Sequence, residues 1–198
     1  MTRDSRRCYP KRVSCDGEEF DLRYMEPADR DAVLAFARGL PTRDLLFLDR
    51  NIAEPKVVTA WVRAVEQGAI ASLLALRADA VVGCATVVCD DFASWSLHVG
   101  ELRLLVDPEM RGQGLGRLLA QECFVLALGM GLEKLTARMP VDQHAAISTF
   151  RSLGFALEGV LRAQGKDRDG TKHDIAILSH DVVGFGARME AYGLTEAF

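Results

Sequence analysis

Arg111-Gly112-Gln113-Gly114-Leu115-Gly116 carries three glycines at alternate positions, between an apolar strand-like run (Leu102, Leu104, Leu105, Val106) and a helix-like run from Leu115 to Met130. Residues of these types at this spacing suit the holding of a phosphorylated group. Bare backbone lets several N–H groups close on one phosphate without Cβ atoms in the way. A helix starting there adds unpaired N–H groups and roughly half a unit of positive dipole charge, and Arg111 can add a forked cation. The spot suits a pyrophosphate. Two common phosphate loops fit poorly. A P-loop needs Lys then Ser or Thr after its second spaced glycine, where Arg117-Leu118 stand here. The dinucleotide fingerprint needs G-x-G-x-x-G and an acid ending the next strand, which closes instead on Met139-Pro140.

The elements that must position this turn follow from periodicity. Residues 1–18 are polar and read as a loose N-terminal tail, and Phe20 to Tyr24 alternates as a first strand. Pro27 opens a helix through Arg38, and Val57 to Gln67 repeats Val58, Trp61, Val62 and Val65 at helical spacing. Ala69–Leu76 and Val81–Cys89 read as an antiparallel hairpin around Ala78-Asp79. His98 to Val106 is a further strand, stopped by Asp107-Pro108 ahead of the glycine turn. On the next helix Leu115, Leu119, Cys123, Leu126 and Met130 share one face and are read as core. Leu135–Met139 then reads as a strand, Asp142–Leu153 as a helix, and Phe155–Lys166 with Thr171–His180 as a closing hairpin. Residues 183–198 form a C-terminal extension.

Length and charge narrow the classes. A chain of 198 residues suits one domain, here 19–182, with a core that needs no disulfide or metal. A net charge of -4 argues against a nucleic-acid binder. Five cysteines without CxxC spacing suit reduced thiols in a cytoplasmic protein, and the longest apolar run, Cys123–Gly129, is too short to span a membrane. The histidines and cysteines lack zinc-ligand spacing, so no metal is expected.

The segment LRLLVDPEMRGQGLGRLLAQ, with Arg-x-x-Gly-x-Gly after a strand and Pro108, closely resembles the coenzyme A loop of the GNAT superfamily of acyl-CoA-dependent N-acetyltransferases. Downstream, QHAAISTFRSLGF is similar to that family's second signature, and the two stand in the family's order. The resemblance implies an α/β (α+β) fold with a mixed, mostly antiparallel sheet flanked by helices and splayed between strands four and five. Pantetheine would enter the splay and pair with the backbone of Leu104, Leu105 and Val106. The turn Arg111, Gly112, Gln113, Gly114, Leu115 and Gly116, with Arg117, would grip the pyrophosphate. A backbone N–H near Leu105 or Val106 would polarise the thioester carbonyl. Acetyl-CoA is the implied co-substrate.

Amine acetylation needs a neutral nucleophile, and a lysine-like amine at pH 7 gives up about 4 kcal/mol to lose its proton. Glu101 matches the position of acids that serve as bases in several relatives; a solvated or Arg103-facing strand carboxylate is the competing reading. His98, Asp90 and Asp91 are weaker alternatives. The family's usual acid, a tyrosine in the second signature, is replaced by Phe150. Expelling a thiolate unprotonated at pH 7 forfeits about 2 kcal/mol, so turnover can survive that change. Gln143 stands where relatives often carry Asn and could reach the pantetheine, or could simply start a helix. Phe92, Trp95 and Leu45–Asp49 occupy places where relatives build the acceptor pocket, although core packing is open to most of them.

The expected activity is therefore direct transfer of an acetyl group from acetyl-CoA to a small-molecule or protein amine. No nucleic-acid or membrane partner is expected, and the chain would act as a monomer or homodimer. Asp90-Asp91 would suit a cationic amine. Phe150 motivates the alternative of a non-catalytic acyl-CoA-binding sensor, and a dinucleotide-binding oxidoreductase is the second rival.

Overall fold

A computed structural model describes residues 9–89, 95–167 and 169–184. Within them, strands β1 (Lys11–Cys15), β2 (Glu18–Tyr24), β3 (Ile70–Arg77), β4 (Ala80–Cys89), β5 (Val99–Val106), β6 (Lys134–Pro140), β7 (Ala156–Lys166) and β8 (Lys172–Asp181) form one sheet. Its order is β1-β2-β3-β4-β5-β6-β8-β7, and every neighbouring pair is antiparallel except β5 and β6. Helices α1 (Arg30–Gly39) and α2 (Pro55–Glu66) pack in one apolar cluster with Leu74, Cys84 and Leu105. On the other side, α3 (Leu115–Gly129) and α4 (His144–Ser152) pack with Leu102, Leu135 and Leu178. The result is the expected mixed, mostly antiparallel sheet between helices.

Residues 11–15 do not form a loose tail. They pair with β2 around Asp16-Gly17, both at positive φ (52° and 83°), the backbone that a tight hairpin turn needs. A second contact docks this hairpin. Buried Glu122 on α3 accepts hydrogen bonds from Tyr9 Oη and, at 2.7 Å, from Lys11 Nζ. Polar alternation in Lys11–Cys15 hides a strand whose anchor lies more than a hundred residues away in sequence. The remaining tail (1–8) and the extension beyond 184 lie outside the described residues, as do Asp90, Asp91 and Phe92.

Helix starts follow local rules. Pro27 opens a short 3-10 turn before α1, where Glu26 and Asp29 form a reciprocal capping box and Asp29 also receives the Arg23 fork at 2.6 Å. Pro55 occupies the first turn of α2, which buries Val58 and Val62. In α3, Leu115, Leu119 and Cys123 are fully buried, with Leu126 and Met130 packed against the same cluster.

The parallel pair is short. β5 and β6 are in register over Val99–Glu101 and Lys134–Thr136 only, while β5 stays paired with β4 as far as Val106, opposite Gly83. Beyond Glu101 the two strands diverge. At the closed end, a Cβ on Gly100 would lie 2.7 Å from Leu132 Cδ1 and 3.1 Å from Val87 Cγ1, so only glycine lets the neighbours pack this closely. These strands correspond to four and five of the expected splay, since the N-terminal hairpin adds one strand.

Candidate active site

The glycine turn follows β5 directly. Gly112 and Gly114 take φ of 78° and 83°, and Gly114 is the N-cap of α3 without any side-chain cap. A side chain would be strained at either position. The N–H groups from Gly112 to Gly116 meet no backbone acceptor at hydrogen-bonding geometry among the described residues; the first bond into the helix is Leu118 N to Gly114 O, 3.0 Å. A Cβ at Gly112 would touch nothing within 4 Å, and at Gly114 only Cys15 Cβ at 4.0 Å. Open space, unpaired donors and a helix start therefore coincide, and this set fits a pyrophosphate.

Side chains around the turn have other tasks. Arg111 folds back, its Nε and Nη2 donating to Val106 O at 3.2 and 3.1 Å and its Nη2 to Asp44 at 2.7 Å. The forked cation expected at a phosphate is thus engaged at the end of β5. Arg117 donates to Ser152 Oγ at 3.1 Å, tying α3 to α4, and Gln113 Nε2 reaches Glu109 O. Leu104 and Val106 point towards α3, each within 3.6 Å of the place a Gly116 Cβ would occupy; Leu105 faces the α1–α2 side. Gln143 is the N-cap of α4 but caps nothing with its side chain, and its amide donates across the opening to Asp44 Oδ1 at 3.0 Å. Asp44, buried in the 3-10 turn Thr42–Leu45, therefore joins the arm after β5 to the arm after β6.

Nearer the closed end lies a four-membered charge cluster. Glu101 Oε1 accepts from Arg103 Nε (3.2 Å) and Arg138 Nε (3.1 Å), and Oε2 from Arg103 Nη2 (3.3 Å) and Arg138 Nη2 (2.8 Å). These four donors match the roughly four lone-pair sites of a carboxylate. A proton taken by Glu101 must first displace one of them. Asp49 accepts from Arg103 at 2.5 Å and Arg138 at 3.1 Å. Burial pushes Asp49 up, but attraction to Arg138 and Arg103 prevails and holds it below its ordinary value.

A cavity of 330 Å³ opens on the Leu105 side of the sheet, between α2 and strands β3, β4 and β5. Its lining includes Asp49 and Leu48 from the expected pocket segment, together with Trp61, Thr86, Arg103 and Leu105. Trp95 does not join it, standing 94% exposed. His98, also exposed, precedes the closed end of the β5–β6 pair, away from the opening. Phe150 is buried, 3% exposed, with its ring 4.9 Å from that of Phe155. Asp44, Arg138 and Thr86 escaped the sequence reading. Arg138 and Thr86 fell inside expected strands, Leu135–Met139 and Val81–Cys89, but nothing local marked either as part of a site. Among the described residues no three His, Cys, Asp or Glu side chains converge as metal ligands, and no helix is long and apolar enough to cross a membrane.

Known proteins share this fold. An N-acetyltransferase from Staphylococcus aureus Mu50 superposes with a TM-score of 0.71 at 22% identity, over 82% of this chain and 98% of its own. A Salmonella typhimurium protein solved with its cofactor acetyl-CoA gives 0.69 at 22% identity, over 82% and 94%. In sequence, an IAA acetyltransferase of Azospirillum brasilense is 33% identical over 96 residues. That match spans 48% of this chain and 60% of the relative, less than two thirds of its length. A model of the acetyltransferase (GNAT) family matches residues 29–155, which contain the splay, the glycine turn and the Leu-Gly-Phe end of α4. With that match covering well over half of the chain, the protein belongs to the GNAT acetyltransferase family.

Proposed function

We propose that this protein is an N-acetyltransferase that moves the acetyl group of acetyl-CoA directly to an amine. One observation carries the reading: β5 loses its β6 partner after Glu101 and runs, with no strand beside Leu104–Val106 on that side and the Val106 carbonyl held by Arg111, into a turn of unpaired N–H groups. An extended pantetheine can add to such an edge as a strand would, with its pyrophosphate ending at Gly112–Gly116. Gln143, facing the opening, and Arg117, beside the turn, are the side chains we assign to the same ligand. Phe150 supports the α4 wall from within the core. Acetyl-CoA supplies the thioester, and this chain orients it between two fixed strands.

Glu101 is the proposed base, on a condition set by its four donors. Arg103 both lines the cavity and donates to Glu101, so an entering ammonium group that displaces Arg103 from the carboxylate gains the lone pair that takes its proton. Attack on the thioester carbonyl and release of the thiolate to solvent water complete the transfer. Phe150 supplies no acidic hydrogen, and that favours a second reading, a non-catalytic acyl-CoA sensor. Thiol release from acetyl-CoA across an amine panel separates the two. Turnover with any amine, lost in Glu101→Gln while acetyl-CoA still binds, supports the enzyme and its base. Tight binding without turnover on any amine selects the sensor.

A further inference from the structure

The cavity beside Leu105 has a composition that bears on the acceptor. Its wall is largely apolar, with Val57, Trp61, Ile70, Val88 and Leu105 contributing. Burial also pushes the Cys84 thiol up to about 12, so Cys84 adds a neutral surface. The polar atoms of the floor are already paired with one another. Trp61 Nε1 donates to Ser72 Oγ at 3.0 Å, Ser72 Oγ lies 3.0 Å from Thr86 Oγ1, and Cys84 Sγ lies 3.8 Å from Thr86 Oγ1. A polar ligand group pushed into this floor would lose water and gain little, whereas an apolar body loses nothing. At 330 Å³ the space lies near the lower end of the roughly 300–1,000 Å³ of small-molecule sites, enough for one ring-sized group.

Charge at the rim points to the rest of the molecule. Asp49, the carboxylate of the described lining, is held by Arg103 and Arg138 and offers no free site to a polycation. Arg50, also on the rim, has no carboxylate partner among the described residues. Resting on the N-acetyltransferase reading, we infer that the acceptor is a single amine on an apolar, ring-sized body that also carries an acidic group. The body fills the cavity below α2 and the acid meets Arg50. A long polyamine, which is all charge and no ring, is the opposite of what this site complements.

The test compares phenylalanine and tryptophan, which have ring, amine and carboxylate, with phenethylamine, which lacks the acid, and spermidine, which lacks both ring and acid. The two amino acids should exceed phenethylamine in kcat/KM by about tenfold, the worth of one charge-assisted hydrogen bond, with spermidine last. Arg50→Gln should remove the advantage over phenethylamine, and Ala64→Phe, which fills the cavity from α2, should abolish use of every ring-bearing amine. Preference for spermidine, or an amino-acid advantage that survives Arg50→Gln, overturns the inference while leaving the transferase reading intact. If no amine turns over, calorimetric titration of the coenzyme A complex decides separately. Phenylalanine binding that is lost in Ala64→Phe sustains the acceptor class, and absent binding rejects it.

Discussion

The glycine turn and the Glu101 cluster sit at opposite ends of the same opening and are built in contrary ways. The turn is made of backbone from consecutive residues, Arg111 to Gly116, and its donors from Gly112 onward meet no backbone acceptor because left-handed glycines and a helix start leave them so. The cluster is made of side chains from three separate segments, Asp49, Glu101 with Arg103, and Arg138, and its groups are saturated by one another. One region leaves its backbone donors without a protein partner. The other is a closed circuit of charge that must open before it can take a proton.

That contrast can be broken first at the turn. Gly114→Glu places a side chain at φ of 83°, costing about 1–2 kcal/mol of strain, and sets a negative charge on the proposed pyrophosphate site. Acetyl-CoA affinity in the folded variant should fall at least a hundredfold, about 2.7 kcal/mol, by calorimetry. Retained affinity would move the pyrophosphate elsewhere.

The cluster should respond in stability rather than in cofactor binding. Arg138→Met strips two donors from Glu101 and one cation from Asp49, and urea unfolding should show a loss of about 2 kcal/mol with acetyl-CoA affinity within about twofold of the parent. A hundredfold loss of affinity with unchanged stability would instead place Arg138 in the cofactor site.

Phe150→Tyr probes the wall between the regions. Its ring is buried against Phe155, so the added hydroxyl should cost about 1–2 kcal/mol of stability without raising kcat. A faster enzyme would show that the phenol reaches the leaving thiolate and restores the missing acid.

The smallest effect concerns acid. Asp49 has its folded value held below the ordinary one, so its contribution is complete above about pH 4 and fades as pH falls through the lower folded value. Asp49→Asn should lower stability near neutrality by that contribution and flatten the fall below about pH 4 in acid denaturation, because the variant has no carboxylate left to protonate. An unaltered acid limb would mean that the pairs with Arg103 and Arg138 are not maintained in solution.

Legibility in the sequence followed the same division. β5, the turn and α3 were readable because proline, glycine spacing and apolar period are local signals, and the Ala78-Asp79 hairpin was readable for the same reason. Lys11–Cys15 was misread as tail because its polar alternation becomes a strand only beside Phe20 and Leu22, with Glu122 beneath it. Trp95 looked like pocket material by type, yet exposure is decided by what packs around it. Asp44 gave no local sign at all. It matters because folding brings Arg111 and Gln143 to the same carboxylate from opposite arms of the opening.

The order of strands and helices from β2 onward, the glycine turn and the phenylalanine at position 150 are therefore properties of the chain as written, since each is carried by residues adjacent in sequence. The length of the β5–β6 pairing, the saturation of Glu101, the fold-back of Arg111 and the paired floor of the cavity were decided only by tertiary structure. Each is a contact between distant segments, and no local preference for backbone or burial specifies which distant partner a side chain will meet.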